Sequence, residues 1–432
     1  MDIESARRLR KNERGVTLLI VAVGMVSVLA MAVLAMDVVR LYVAKDQAQA
    51  TADAAALAGA EALANSGTTS APSTVPLSTV CNGSTGQADL WAQAVVAQSP
   101  VAGGLAALTT SCPTATDTNP RIQVTLTRTG LPTFFARMWG GGSSTVSAAA
   151  IAEAYNPSLD LNPGPPIQIQ GVKPWLIFNC NTCPPPSGPA YFTSTYAVAH
   201  GGAFIGKRVT LTLMSSSTPP ASSPPPNTAQ FFALDLPAPL SCPTNGAISC
   251  NQTGTGSPRS YYHDNIACSG SFMFGNNQSI PMPSAQVDTR RVRTLNASTS
   301  AGVKCLIHAG GSGPDQGQDT FTTGLPVTIT GGSNNPDLAL QGVSIHRSDS
   351  VVTAPVFNCP TVGACNGTGA VQLQIVGFLQ LGIQDVTVTV TGGGNIVNID
   401  AVILNAAGTD PASTGTPVTG AGPSPVPVRL IQ

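Results

Sequence analysis

The sequence predicts an α+β protein. A long amino-terminal transmembrane helix continues into an alanine-rich extracytoplasmic helix lying on a small sheet. A disulfide-stapled, mostly-β domain follows. Three observations predict this. Val16 to Met36 carries neither a charge nor a proline, and roughly 20 apolar helical residues cross the ~30 Å hydrocarbon layer. Helical spacing then runs on without a break to Ala64. Beyond it the chain turns neutral and rich in Gly, Pro, Ser, Thr and Asn, with only 9% of all residues charged. That composition suits short strands joined by turns.

The elements follow in order. Residues 1–15 hold Arg7, Arg8, Arg10, Lys11 and Arg14, a basic flank that stays cytoplasmic. Residues 16–36 form the span. A cleaved signal peptide is the competing reading, with Ala30-Met31-Ala32 imitating a cleavage site. Its apolar core is shorter, about 7 to 15 residues, and nothing breaks the helix here. The rest of the chain then faces outward from the membrane.

Residues 37–155 form the first outer unit. Leu41, Ala44, Ala48, Ala52, Ala55 and Gly59 share one helical face. Small residues let another backbone come close, so Ala44, Ala48, Ala52, Ala55 and Gly59 form a candidate helix-packing seam. A stable alanine-rich helix resting on its own domain is the alternative. Asp53 is a charge on this otherwise small surface. Ser66 to Ser73 ends the helix, and Leu90 to Gln98 forms a second, short one. Arg121 to Thr129 alternates apolar Ile122, Val124 and Leu126 with polar residues, a half-buried strand. Ser144 to Glu153 is its companion.

Residues 156–166 read as a Pro/Gly-rich linker. Residues 167–407 hold strand-like stretches at Trp175 to Phe178, Val209 to Met214, Gln230 to Leu234, Leu325 to Thr330, Ser350 to Phe357, Gln372 to Ile383 and Ile396 to Leu404. Residues 408–432, dominated by Pro, Thr and Gly, read as a flexible tail.

All ten cysteines follow the span: Cys81, Cys112, Cys180, Cys183, Cys242, Cys250, Cys268, Cys305, Cys359 and Cys365. An even number in an exported region reads as disulfides. Many connectivities are open; the spacing suggests sequential pairs, 81–112, 180–183, 242–250, 268–305 and 359–365.

Several functions lack their residues. Seven of the twenty Lys and Arg lie at or before Lys45, so the outer part is almost uncharged, which argues against nucleic-acid binding. Cys180-Asn181-Thr182-Cys183 has redox or zinc spacing, but no second pair completes a zinc site. Pro184, Pro185 and Pro186 prevent the helix that a thioredoxin-like pair requires. His200, His263, His308 and His346 are scattered, and Tyr261 to Asn265 reads as a structural patch. Asp315 to Asp319 is a polar turn with too few ligands for calcium. No nucleophile elbow, phosphate loop or His-Glu-x-x-His helix occurs. We therefore expect no enzyme, no catalytic residue, no cofactor and no metal.

Glu13 to Ala60, with its Asp37-Val38-Val39-Arg40-Leu41-Tyr42 exit and Asp53-Ala54-Ala55-Ala56-Leu57-Ala58-Gly59 run, resembles the amino-terminal module of TadG-like proteins of the Tad (Flp) pilus-assembly system. Pro132 to Arg137 followed by Val146 to Ala150 is similar to the rest of that module. Gln318-Asp319-Thr320, Val376-Gly377-Phe378 and Ala401 to Leu404 resemble carboxy-terminal regions of some members. The resemblance implies a bacterial inner-membrane protein whose partners are other pilus-assembly proteins or pilin-like helices. The Asp-x-Ser-x-Ser metal loop of members with a von Willebrand type A domain is missing. Ile20, fifth after Gly15, departs from the glutamate of prepilins. A membrane-tethered binding module or adhesin, its β domain recognising a glycan or another surface ligand, is the alternative function.

Overall fold

The computed structural model describes residues 3–113, 119–134, 142–159, 164–179, 190–213, 228–234, 259–268, 272–275, 279–282, 292–310, 316–345, 347–358, 371–391, 394–410, 412–421 and 423–431, with isolated positions between them. The first element, α1, is one continuous helix, Ile3–Asn65. Proline is absent throughout it, and alanine dominates its second half, where helix propensity is highest. It stops where Ser66 Oγ donates to the Leu63 carbonyl (2.8 Å) and Gly67 adopts a positive φ of 81°, a backbone turn that ends helices.

Helices α2 (Leu77–Val80) and α3 (Gln87–Gln98) follow. Strands β1 (Ala107–Ser111), β2 (Arg121–Leu131) and β3 (Ser144–Ala154) then build an antiparallel sheet. On β2 the alternation places Ile122, Val124 and Leu126 in the core, together with Ala148, Ala150 and Ala152 of β3.

The second region opens with β4 (Ile167–Gln170), β5 (Trp175–Asn179), β6 (Arg208–Leu213) and β7 (Thr228–Ala233). Helix α4 (Arg259–Ala267) leads to β8 (Met273–Gly275) and β9 (Ser279–Met282), and α5 spans Val292–Leu306. Three short strands, β10 (Thr320–Phe321), β11 (Ile329–Thr330) and β12 (Ser344–Ile345), pair as one small sheet. The long strands come last: β13 (Val351–Asn358), β14 (Val371–Thr391) and β15 (Gly394–Gly408). The chain ends with β16 (Val418–Ala421) and β17 (Val428–Ile431).

Six of these strands close a barrel in the order β13-β5-β7-β6-β15-β14, because β14 pairs with β13 as well as with β15. Closure removes the exposed edges that invite aggregation. Trp175, Ile177, Phe231, Leu211, Leu379, Leu381, Ile399 and Ile403 share one cluster, while the alternate residues Leu176, Phe232 and Phe378 join the cluster under α1. Burial on both faces turns the alternating pattern into near-continuous apolar runs. Ile266 of α4 and Val303 and Leu306 of α5 complete the first cluster. These two helices were not expected in a strand-rich region; α5 contains Thr, Ser and Gly, weak helix formers, and is held by packing on its apolar side.

Two expectations are corrected. Residues 408–432 are not simply a flexible tail. Strand β16 pairs in parallel with β4, and β17 pairs with β3 as the fourth strand of the amino-terminal sheet. Glu153, buried on β3, binds Arg121 (3.1 Å) and Arg429 of β17 (2.8 Å), and Arg429 lies 4.5 Å over the Tyr155 ring. A low-complexity composition concealed short strands whose partners lie far away in sequence. The expected linker 156–166 also begins inside the structure. Asn156 is fully buried, and its side chain donates to the carbonyls of Thr69 (3.1 Å) and Ala406 (2.9 Å).

Candidate functional site: the helical stem and its collar

Helix α1 has two environments. From Val16 to Met36 its large apolar residues other than Val33 stand exposed, Leu18 at 73% and Val26 at 66%. This is a helix long and apolar enough to cross a membrane. At about 1.5 Å per residue, those residues extend roughly 32 Å. The protein begins to surround the helix at Asp37. The Asp37 carboxylate accepts from the Phe134 backbone N–H at 2.8 Å. One turn on, the Arg40 guanidinium sits 4.7 Å above the Phe134 ring. Leu41 and Ala44 pack on Leu131 and Val146. Together these contacts form a collar at the base of the exposed stem.

Above the collar the helix lies against the first sheet. Strand β17 covers β3 only at residues 151–154, so the carbonyls of Ser147 and Ala149 lack a strand partner on that side. Lys45 donates to the Ser147 carbonyl and Gln49 to that of Ala149 (3.1 Å). Helix side chains thus satisfy backbone acceptors that a sheet edge would otherwise leave open. Gln49 also donates to Asp53 (2.8 Å), which gives that carboxylate a contact within its own helix.

The small-residue seam is the main correction. Ala44, Ala48, Ala52 and Ala55 are at most 1% exposed, and Gly59 is buried beside them. Their neighbours are this chain's own β2, β3 and α3. A Cβ on Gly59 would stand 2.5 Å from Ile122 Cδ1 and 3.3 Å from the Ala88 carbonyl oxygen. Small side chains are needed because the chain's own sheet approaches closely. The face is therefore closed to a partner helix.

The top of α1 joins the barrel through buried polar groups. Asn405 of β15 donates to the Ala64 carbonyl and accepts from Thr69 Oγ1 (3.1 Å). Ser70 Oγ donates to Asn405 Oδ1 and accepts from the Ala406 N–H (2.9 Å). Nothing in the hydrophobic pattern announces this junction, since its members lie more than 330 residues apart.

Cys81 and Cys112 form a disulfide, Cα to Cα 6.1 Å, tying the loop before α3 to the end of β1. Cys268 and Cys305 each take part in a disulfide bond as well. Cys180, Cys183, Cys242, Cys250, Cys359 and Cys365 lie outside the described residues. Beside the disulfide, the buried carboxylate of Asp89 accepts from the backbone N–H groups of Asn82 (2.9 Å), Gly83 (3.1 Å) and Gly86 (3.2 Å) and from Thr110 Oγ1 (2.6 Å). The sequence reading passed over it, although an acid three residues into a helix is an amino-terminal capping signal.

The titratable groups of the barrel are structural in their contacts. His263 pairs with Asp264 (3.0 Å). Tyr262 shares a hydrogen bond with Thr299 (3.1 Å). Burial raises the Tyr191 and Tyr262 hydroxyls well above their ordinary range and keeps them protonated. Burial also lowers Lys173 from 10.5 to about 7, against an opposing pull from Asp349; its Nζ donates to the Cys268 carbonyl (2.7 Å). Among the described residues no group of three or more His, Cys, Asp or Glu is placed to hold a metal.

Residues 15–62 match the family described as putative Flp pilus-assembly TadE/G-like, and residues 43–152 match putative Tad-like Flp pilus-assembly. No curated protein and no solved structure matches the chain. The two matches cover the stem, collar, α3 and the first sheet through β3, and stop short of the barrel. Over its amino-terminal third, this chain is similar to the putative Tad-type Flp pilus-assembly families.

Proposed function

We propose that this protein is a non-enzymatic, membrane-anchored component of Tad/Flp pilus assembly, with its amino terminus in the cytoplasm and its bulk outside the inner membrane. One observation carries the reading: the exposed apolar stem is continuous with the helix that organises the family-matched module. In water that stem would present large apolar surface at a cost of about 25 cal/mol per Å²; in lipid it would not. Five basic residues before it favour the cytoplasmic placement.

With the alanine seam occupied by the chain itself, contact with other pilus components falls to the stem within the membrane and to the outer surface of the barrel. Arg121, Arg429 and Glu153 hold strands together, and the Asp89 carboxylate organises a loop, which supports a scaffolding role over a catalytic one.

Reporter fusions at residue 12 and after Gly408 test topology. The amino-terminal fusion should be active only as a cytoplasmic reporter and the carboxy-terminal one only as an exported reporter. Deleting the gene should abolish pili, and a copy with Leu19 and Val23 changed to Asp should fail to restore them. Normal piliation in the deletion strain overturns the assembly role.

A further inference from the structure

A cleft of about 530 Å³ opens where three parts of the protein meet. The end of α1 and the start of α3 form one wall, the β10–β12 sheet the second, and barrel strands β13 to β15 the floor. Its size falls within the range of small-ligand sites, about 300–1,000 Å³. The chemistry of its lining is uneven in a way that identifies a ligand class.

The Arg and His lining it already have carboxylate partners, and its other carboxylates accept from neutral donors. Arg347 pairs with Glu61 at 2.7 Å and His308 with Asp349 at 3.0 Å. Asp319 accepts from the Gly332 N–H (2.8 Å), Asn335 Nδ2 (3.2 Å) and Ser348 Oγ (2.5 Å). Asp337 accepts from the Ala339 N–H (3.0 Å). An anion finds no unspent cation here, and among the described residues no group of three or more His, Cys, Asp or Glu is placed to hold a metal ion.

Carboxamides remain. Gln380 is fully buried on β14, yet it lines the cleft. Its Nε2 donates to Asn65 Oδ1 at 2.7 Å, and its Oε1 has no hydrogen-bond partner. Turning both amides over exchanges the atoms and still leaves one polar atom of Gln380 unmatched. Such an atom is unfavourable in a buried setting until a ligand group reaches it. The half-exposed Gln87 faces the same space. Around these amides lie Trp91, Ile329, Ile345 and Leu404, an aromatic and aliphatic surface.

We propose that this cleft binds a neutral saccharide. Amides that donate and accept match hydroxyls, which also do both. The apolar surface suits the C–H faces of a pyranose ring, and the paired cations leave nothing for an anion. The site lies at the junction of module and barrel, and it does not depend on the assembly role: either can fail without the other.

The test uses the full-length protein in detergent micelles, with saturation-transfer NMR and calorimetry. The probes are chitotetraose, maltotetraose, cellotetraose and mannotetraose. Tetraglycine, inorganic phosphate and spermidine serve as controls. At least one oligosaccharide should bind, and Gln380→Leu and Gln87→Ala should each weaken it by about tenfold, one lost hydrogen bond. Gln87 is half-exposed, so its variant keeps the test open should Gln380→Leu fold poorly. Retention on insoluble cell-wall glycan alongside chitotetraose binding would mark the source as envelope polymer; binding of hexose oligomers alone would mark free sugar. No binding by any of the four sugars, binding unchanged by both variants, or preference for a control overturns the proposal.

Discussion

The two halves of α1 have one backbone and opposite side-chain rules. In residues 16–36 the large apolar residues other than Val33 stand exposed. In residues 44–64 the buried positions are alanine and glycine apart from Thr51 and Leu63, closed in by β2, β3 and α3. Hydrophobicity alone does not distinguish these halves; residue size does. Large side chains suit fluid lipid, where no fixed neighbour sets a distance. Small ones suit a rigid sheet, where the backbone-to-backbone distance is set and every added methylene meets an atom.

The largest expected effect pits one glycine against another. Gly59→Leu would drive a side chain into Ile122 and the Ala88 carbonyl. We expect a loss of about 4–5 kcal/mol, at the upper end for a single overpacking substitution. Gly24→Leu has nothing within 4 Å of its Cβ and should leave stability unchanged. Thermal unfolding in micelles, followed by near-UV dichroism, checks both. Equal effects from the two variants would dissolve the distinction between the halves.

Next in size is the Cys81–Cys112 disulfide, with its sequence separation of 31. In the chain-entropy picture a loop of that length contributes about 3–4 kcal/mol. The Cys81→Ser, Cys112→Ser double variant should lose protease resistance around α3 and β1. The stem should remain helical, since its backbone bonds are internal. Proteolysis with peptide mapping separates the two regions.

Lys173→Met examines whether the upper half of α1 is one cooperative unit with the barrel. Burial lowers the lysine from 10.5 to about 7, so the unfolded chain binds more protons between those values. Wild-type stability then rises with pH across that window, by up to about 1.4 kcal/mol per pH unit. Methionine removes the penalty and also the bond to the Cys268 carbonyl. The net gain should be about 2–3 kcal/mol below about pH 7 and should reverse to a loss of about 2 kcal/mol by pH 10.5, where the neutral lysine keeps its bond. If the Asn405 and Asn156 bonds couple the regions, amide exchange at residues 44–64 slows by the same factor as in the barrel. Slowing confined to the barrel would make the two regions separate units.

Much of the amino-terminal architecture was legible because its signals are local. A charge-free run marked the stem, Ile122-Val124-Leu126 marked β2, and β3 began where expected, at Ser144. The barrel strands were legible as apolar stretches, although β14 runs on to Thr391, past the expected end at Ile383. Their closure was not, since the β13–β14 pairing leaves no local trace. The seam shows the limit most plainly. Ala48, Ala52 and Gly59 announce a close approach, but the identity of the approaching element is written in β2 and β3, far along the chain. The cleft was illegible for the same reason: Asn65, Gln87 and Gln380 meet only after the module docks on the barrel.

The smallest effect lies at the boundary between the two halves. Asp37 is 6% exposed and accepts from the Phe134 N–H; Arg40 covers the ring of the same residue. Asp37→Asn keeps an acceptor and removes the charge, so it should cost only about 1 kcal/mol, the difference between a charge-assisted and a neutral hydrogen bond. Phe134→Ala removes the cation–π contact, again about 1 kcal/mol at a half-exposed site. Tryptophan introduced at Tyr42 reports the depth of the collar through quenching by brominated lipids. In wild type the quenching should place this residue at the headgroup level, six positions beyond the end of the apolar run. If the collar fixes where lipid ends and protein begins, the double variant should let the helix slide and deepen the quenching while thermal stability falls only slightly. Unchanged quenching would assign the boundary to the apolar run alone and leave the collar a purely structural contact of the first sheet.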